Sequence, residues 1–342
     1  MSVELWRRSR WLILTALVVV GGGVALSVFG EGEIPTDPLA VAPGEARVVA
    51  RVDVDALLDS AVWRLALAQE EASGARRIER TCGYDPLALV DDAVIFATGS
   101  DERPFAHVGF VARGEVARGS ERRTQLVECV RAVLSDRGGA VRSVEIDGEA
   151  AMASVHGGSH AAFLGANGVV GGDRESVERA MRVHRGRAPS ARADGSLAPL
   201  WSQVAAGRDV VVAAELPERW LPALRRLARG AEGDLTALAG VRALAIGLGV
   251  RDGLSVSAAL RTSTAADSER LRAALQSRID AALETPGAGL TVAGRVLRRV
   301  EMRANGAELR LVAQASEDQL EGMVEMWREL QAAEASAATD AE

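Results

Sequence analysis

The chain has 342 residues, of which 48% are hydrophobic and 25% charged. This balance is typical of globular proteins, and the length allows about two domains, which excludes a wholly disordered, collagen-like or disulfide-dense chain. All 40 basic residues are arginine, the net charge is −7 and aromatic residues make up 4%. A Schiff-base or Walker-type lysine is therefore excluded, and the acidic balance argues against general electrostatic binding of nucleic acid.

An apolar segment near the N-terminus predicts a membrane anchor. Residues 11–29 contain no charged side chain, and as a helix they would span roughly 29 Å, about the thickness of a bilayer core. Arg7, Arg8 and Arg10 precede this segment, so the positive-inside rule places residues 1–10 in the cytoplasm and the remainder outside. We expect a single-pass protein of the inner (cytoplasmic) membrane with a periplasmic C-terminal domain. A signal peptide cleaved after Ser27 or Gly30, giving a secreted protein, is the alternative.

The part beyond the anchor predicts an α+β fold written twice. Residues 30–44 are rich in Gly, Pro and acids and indicate a linker. Residues 45–205 and 206–332 then share the order strand, helix, hairpin, helix, hairpin. This order predicts antiparallel sheets with helices packed on one face, and residues 333–342 form an acidic tail that we expect to be disordered.

Each copy can be followed element by element. In the first copy, strands are predicted at Ala46–Val52, Ala93–Thr98, Ala106–Arg113, Val141–Ile146 and Glu149–Val155, with an extra hairpin around Asn167-Gly168 and a helix over Ser176–His184. In the second copy, strands are predicted at Asp209–Glu215, Val241–Val250, Leu254–Arg261, Val296–Met302 and Ala307–Gln314. The pairs Asp147-Gly148 and Asn305-Gly306 are strong hairpin signals.

The chain contains two cysteines, Cys82 and Cys129. Outside the cytoplasm such a pair tends to oxidise, so we expect a disulfide in the first copy. Two separate buried thiols are the alternative. A redox site is disfavoured because the sequence has no C-x-x-C motif.

The strongest hint of a metal site is the close pair His156 and His160, which would face each other across a hairpin tip. Zinc needs a third ligand, which Glu149 or Asp173 could supply. Two exposed loop histidines are the simpler interpretation, and we expect no cofactor.

Other candidates also have simple structural explanations. Ser159 adjoins His160 without a nucleophile-elbow motif. Asp91-Asp92 fits a turn before a strand, and Gly171-Gly172-Asp173 fits a turn before a helix, although a helix N-terminus can also face an anion. The arginines between residues 182 and 193 could contact lipid headgroups or lie in a solvated loop between the domains.

A segment with the sequence Cys-Gly-Tyr-Asp-Pro, residues 82–86, follows a helix that carries Leu-Leu-x-Ser-x-x-Trp from Leu57 to Trp63. With the N-terminal anchor, this combination resembles exported, membrane-anchored hypothetical proteins of myxobacterial type. It is similar, more loosely, to duplicated cyanobacterial envelope domains of unknown function. The resemblance covers most of the first copy, fades in the second and implies no activity or site residue.

The sequence therefore favours a non-enzymatic protein of the cell envelope that binds or scaffolds other components. A carrier or sensor with an apolar pocket for a lipid or small molecule is the alternative, and a metal-dependent hydrolase is a third possibility. The sequence predicts one partner, the lipid bilayer, through residues 11–29.

Overall fold

The computed structural model describes residues 33–64, 75–103, 105–135, 139–155, 158–218, 238, 240–285 and 291–322. The chain divides into two compact units. The first unit holds the residues up to Asp55 together with Glu71–Ala198, and the second holds Ala56–Glu70 and the residues from Pro199 onward. The predicted boundary after residue 205 is therefore shifted by one short helix, and residues 56–64 group with the second unit.

Helices and antiparallel strands alternate along both units, which confirms the α+β class. The helices are α1 (Pro38–Val41), α2 (Val54–Leu58), α3 (Ala75–Cys82), α4 (Gly119–Ser135), α5 (Arg174–His184), α6 (Ala191–Asp194), α7 (Ala198–Val204), α8 (Ala265–Glu284) and α9 (Val292–Leu297). The strands are β1 (Val48–Asp53), β2 (Asp92–Thr98), β3 (His107–Arg113), β4 (Val141–Ile146), β5 (Glu149–Ser154), β6 (Ser159–Leu164), β7 (Gly168–Asp173), β8 (Val210–Glu215), β9 (Val241–Gly249), β10 (Leu254–Thr262), β11 (Glu301–Asn305) and β12 (Glu308–Ala315).

The predicted strand over Val296–Met302 is wrong in its first half. Residues 292–297 form α9, and the strand begins only at Glu301. The Thr291 side chain accepts a hydrogen bond from the Gly294 amide at 3.0 Å. This N-cap starts a helix where β-branched residues had suggested a strand.

The strand order recurs in the two units. The first unit has the order β1-β2-β3-β7-β6-β5-β4, and the second has β8-β9-β10-β12-β11. The strand beside β3 is thus β7, just as β12 lies beside β10. By position, β6–β7 matches β11–β12, so the β4–β5 hairpin is the additional element of the first unit. This corrects the expectation that the hairpin around Asn167-Gly168 is the extra one.

Helices lie on both faces of the first unit's sheet, which corrects the expectation of helices on one face. In the first unit, Ser176 of α5 lies against Gly109, whereas Arg123 of α4 lies 4.8 Å from the ring centroid of Phe163. Paired residues share a face and alternate along a strand, and the register places Gly109 and Phe163 on opposite faces. The apolar runs of β2 and β3 are those of strands buried on both sides.

The segment expected as a linker is packed into the first unit over residues 34–44. Ile34, Leu39, Val41 and Ala42 are all buried. The Asp37 side chain caps α1, and the Ala191 amide donates to the carbonyl of Ala42. Enough apolar side chains lie among the prolines for this short segment to bury them and stop behaving as a spacer.

Arg113 joins this segment to the sheet. Its guanidinium forms two hydrogen bonds with Asp92 on β2 and donates to the carbonyls of Pro35 and Thr36. Arg113 is 6% exposed and Asp92 is 7% exposed. A cation so far from water needs partners for its donors, and this fork supplies them.

Removing one member of the pair should cost far more than removing both. We expect Asp92→Leu to lower the free energy of unfolding by about 3–5 kcal/mol, because the guanidinium stays buried without a counter-charge. The double variant Arg113→Met/Asp92→Leu should lose clearly less stability. Urea denaturation of the wild-type protein and the two variants checks this. A double variant with a lower free energy of unfolding than Asp92→Leu would refute the prediction.

The disulfide prediction is confirmed. Cys82 at the end of α3 bonds to Cys129 on α4, with their Cα atoms 4.6 Å apart. The bond closes a loop across 47 residues of sequence separation, which on the chain-entropy model stabilises the fold by about 4 kcal/mol. It fixes the two helices against each other.

Replacing both cysteines by alanine should therefore shift unfolding of the first unit to lower denaturant by an amount equivalent to roughly 4 kcal/mol. Far-UV circular dichroism measures the shift. Tryptophan fluorescence gives the internal comparison, since Trp63 and Trp201 belong to the second unit and the first unit has no tryptophan in residues 33–55 or 71–198. Its Trp6 and Trp11 precede residue 33. An unchanged dichroism transition would contradict the prediction.

Residues 1–32 and 323–342 lie outside the described residues, so the predicted cytoplasmic stub, anchor and acidic tail remain predictions. None of the helices within the described ranges combines the length and the apolar character of a membrane span.

Candidate functional site

The two histidines of the metal hypothesis are not seen together. His160 lies at the start of β6, where its Nδ1 is 2.9 Å from the carbonyl oxygen of Gly158. His156 lies outside the described residues. Of the suggested third ligands, Glu149 pairs with Arg185 and Asp173 contacts His107. No group of three His, Cys, Asp or Glu within the described ranges is placed to hold a metal ion.

A different histidine meets carboxylates. His107 at the start of β3 lies with Nε2 3.0 Å from Glu175 and Nδ1 3.3 Å from Asp173. Asp173 is already engaged as the N-cap of α5, because it accepts hydrogen bonds from the amide and the hydroxyl of Ser176. The helix N-terminus that could have faced an anion is thus occupied by the chain's own carboxylate, and the cluster fastens α5 to β3.

The glycines before Asp173 are explained by packing. A Cβ on Gly171 would lie 2.4 Å from the ring of Phe110, and a Cβ on Gly172 would lie 2.5 Å from the carbonyl oxygen of Val108. Both glycines belong to β7 and pair with β3 and β6. Ser159 pairs with Asp173 at the start of β6. The sequence Gly171-Gly172-Asp173 therefore serves close strand packing rather than a phosphate loop.

The arginines near the end of α5 are engaged by carboxylates. Asp147 in the β4–β5 turn lies 2.9 Å from Arg185, 3.3 Å from Arg187 and 4.0 Å from Arg182. Asp147 has a φ of 51°, and the following Gly148 has a φ of 80°, as a type I′ hairpin turn requires. These arginines clamp the added hairpin to α5, so the loop between the domains that the sequence suggested is part of the first unit.

The adjacent carboxylates Asp91 and Asp92 are a further candidate from the sequence. Asp92 is taken up by Arg113, and its neighbour Asp91 lies before β2 among other acids. Burial raises the pKa of the Asp91 carboxyl, and the nearby charges of Asp55, Asp92 and Glu115 raise it further.

A polar groove runs along α5 with a volume of about 600 Å³. Its walls include Glu45, Arg174, Glu178 and Arg182. Arg179 within it pairs with Glu45 at 3.2 Å and donates to the Thr98 hydroxyl. The groove is lined by ion pairs that already satisfy one another, which favours a solvated helix face over a ligand site.

One face of the second unit's sheet carries large apolar residues that are less buried than those of an ordinary core. Along β9, from Ala243 to Gly249, small residues alternate with large ones, and in β8 the buried residues Val211 and Ala213 alternate with less buried ones. The small residues, such as Ala213 and Ala245, are fully buried, and the carbonyl of Val204 on α7 lies against Gly247 on this side. The large residues point to the other side of the sheet.

These large residues form what we call the apolar face, which comprises Val210, Val212, Leu244, Ile246, Leu248, Val256 and Leu311. The register of β8, β9, β10 and β12 places all seven on one side of the sheet. All seven are only half-buried.

Helix α8 packs at the edge of this face. Its Leu271 is buried against Leu309 and Val241, and Leu260 and Met302 pack around them. None of the seven residues of the apolar face belongs to that described cluster. Burial of a Val, Leu or Ile side chain stabilises a protein by about 1.5–3 kcal/mol. The apolar face therefore leaves part of this energy unused, which an apolar ligand could gain by binding.

Sequence reasoning missed this face because its residues read as ordinary strand alternation. The signal in the sequence was the alternation of residue size along β9, which places Ala and Gly on one side of the strand and Leu and Ile on the other.

Comparisons with known proteins add little. No protein-family model matches the chain, and no curated protein matches it. The solved structures that match include crystal forms III, I and IV of TP0453, at 11–12% sequence identity and TM-scores of 0.48–0.49. They cover 84–86% of this chain and 95–100% of their own. At this level the similarity gives no information on function.

One titratable group near the Asp147 clamp gives a pH prediction. Burial lowers the pKa of His184, and Arg185 lowers it further. The unfolded histidine, with a pKa of about 6.5, takes up a proton at pH values where the folded imidazole is still neutral. The stability contribution is thus complete above pH about 6.5 and is lost as the pH falls below that value toward the folded pKa.

We therefore expect His184→Gln to lose less stability than the wild-type chain when the pH is lowered from about 7.5 to about 5.5. Thermal denaturation at both pH values measures the difference, and the higher pH provides the reference for any direct effect of the substitution. Parallel losses in the two chains would show that His184 does not contribute.

Proposed function

We propose that this chain is a non-enzymatic, membrane-anchored extracytoplasmic protein whose second unit binds the hydrocarbon part of a small ligand or lipid. The apolar face is the observation that carries the proposal, because seven large apolar side chains share one side of the sheet and stay half-buried. The candidate polar sites of the first unit, in contrast, are occupied by structural hydrogen bonds and ion pairs.

The proposed location rests on two features. The uncharged segment over residues 11–29 follows three arginines, as in an anchor with its N-terminus in the cytoplasm. The Cys82–Cys129 disulfide suits an oxidising compartment outside the cytoplasm. Secretion after cleavage of this segment is the alternative, and it leaves the ligand proposal unchanged.

The size of the apolar face favours a small ligand over a protein partner. It spans four neighbouring strands and, on β9, the distance from Leu244 to Leu248. With the usual strand spacing and rise, this is roughly 14 by 13 Å. A stable protein interface buries about 800 Å² on each partner, several times that area. A hydrocarbon chain or a ring system fits better than a scaffolding contact.

We also propose that the two units arose by duplication. The recurrence of one five-strand order, with β6–β7 matching β11–β12, supports this. The β4–β5 hairpin and its Asp147 clamp would then be an addition to the first unit. The apolar side chains of the second sheet are less buried than those of the first. This difference would then reflect a structural role for the first unit and a binding role for the second.

Photo-crosslinking tests the ligand proposal on the full-length chain in membranes. The probe is a fatty acid with a diazirine on its chain. Because the sequence has no lysine, trypsin cleaves only after arginine, and residues 243–251 form one peptide that carries Leu244, Ile246 and Leu248. We expect this peptide to be labelled.

A matched pair of variants provides the control. Ile246→Gln should reduce labelling of residues 243–251 several-fold, because it places an amide in the centre of the apolar face. Val312→Gln changes an exposed residue on the opposite side of the sheet and should leave labelling unchanged. Labelling confined to residues 11–29, or equal effects of both variants, would reject the proposed binding surface.

A further inference from the structure

We propose that one end of the first unit lies directly against the membrane, where its exposed arginines contact the phosphate groups of phospholipid headgroups. We call this the anchor-proximal end and define it by Ile34, the β6–β7 turn at residues 165–167, the β4–β5 turn at Asp147-Gly148 and the C-terminus of α5. The inference rests on the proposed anchor over residues 11–29.

The length of chain between the anchor and the fold carries the argument. The apolar segment ends at Phe29, and Ile34 is already 3% exposed within the first unit. Only residues 30–33 lie between them. At a maximum of about 3.6 Å per residue, the five steps from Phe29 to Ile34 reach roughly 18 Å. The first unit therefore cannot stand far from the bilayer surface.

The attachment at Ile34 is firm. Its amide donates to the Asn167 side chain at 3.3 Å. Its own side chain fills the space beside Gly168, where a Cβ would lie 1.8 Å from the Ile34 Cδ1. Arg113 holds the next two carbonyls, those of Pro35 and Thr36. The tether thus ends on the sheet itself, which fixes the end of the sheet that lies nearest the anchor.

The register shows what else lies at this end. Arg113 at the end of β3 pairs with Gly168 at the start of β7 and with Asp92 at the start of β2. Since adjacent strands are antiparallel, the β4–β5 turn lies at the same end as the start of β7. The ion pair of Arg185 with Asp147 brings the C-terminus of α5 there as well.

Arginine is the dominant exposed cation of this end. Four side chains that are 50–60% exposed belong to it, namely Arg118, Arg182, Arg187 and Arg192. Arg118 pairs with Glu115 at 3.0 Å and lies 4.0 Å from Glu33, and Arg192 pairs with Asp37. Glu33 and Asp37 belong to the N-terminal segment. Asp147 is shared by three guanidinium groups. Each guanidinium has five N–H donors, so donors outnumber the carboxylate oxygens near Asp147, and phosphate oxygens are suited to them.

The opposite end of the sheet supplies the reference. The loop over residues 99–106 joins the end of β2 to the start of β3. It is separated from the anchor-proximal end by the seven residues of β3, or roughly 24 Å. Glu102 in that loop and Ala166 in the β6–β7 turn are both exposed, so a label at either position reports the distance of its end from the membrane.

The test uses the full-length chain in phosphatidylglycerol–phosphatidylcholine vesicles that carry a headgroup-attached quencher. Single-cysteine variants Ala166→Cys and Glu102→Cys each receive a fluorescent label, while the native disulfide leaves no other thiol to react. We expect quenching at residue 166 to be several-fold stronger than at residue 102. Equal quenching, or stronger quenching at residue 102, would overturn the orientation.

A second part of the experiment tests the contact between arginine and phosphate. Arg118→Gln/Arg187→Gln/Arg192→Gln, introduced beside Ala166→Cys, should weaken quenching at residue 166, and an unchanged signal would remove the phosphate contact from the proposal. The mass of the purified chain distinguishes failure of the proposed anchor from failure of the proposed orientation. A chain that lacks its first 30 residues refutes the proposed anchor, whereas an intact anchored chain with the wrong quenching pattern refutes only the orientation.

Discussion

The burial of one guanidinium organises the first unit. Arg113 lies at the end of a strand whose other residues are almost all apolar, and it is nearly inaccessible to water. Burying an unpaired cation is prohibitively costly, so its donors must all be directed at acceptors. Asp92 supplies the charge from the neighbouring strand, and the carbonyls of Pro35 and Thr36 complete the set. Residues 34–44 are therefore part of the fold rather than a spacer before it.

Local signals in the sequence predicted the parts that depend on neighbouring residues. Asp147-Gly148 specified its hairpin because that turn needs positive φ at both positions. A single pair of cysteines in a chain expected to be exported was enough to predict the disulfide. The same reasoning failed where partners are distant. Nothing near residue 34 in sequence indicates Asn167, and nothing near Arg113 indicates a carbonyl 77 residues earlier.

The errors at α9 and at the strand order have a different origin. Val296 favours a strand by propensity, but the Thr291 cap outweighs it, because a capped turn satisfies amides that a strand would leave to pairing. The position of β7 beside β3 could not be obtained from hairpin signals alone. Each of the two hairpins in residues 141–173 is equally good locally, and only the packing of Phe110 over Gly171 distinguishes which strand pairs with β3.

The contrast between the two sheets then bears on function. In the first unit, Phe96, Val111 and Ala112 are buried whichever face they point to, and the charged side chains around them are paired. The core of such a unit has little unsatisfied chemistry to offer an apolar ligand. In the second unit, the small residues of β9 point to the fully buried face, and the large ones point to the face where they are only partly buried. Packing alone would favour the reverse, since the large side chains gain most from burial. A sheet that keeps its Leu and Ile side chains only partly buried while burying Ala and Gly is suited to receive an apolar group. The anchor proposed over residues 11–29 would make membrane lipids an abundant source of one.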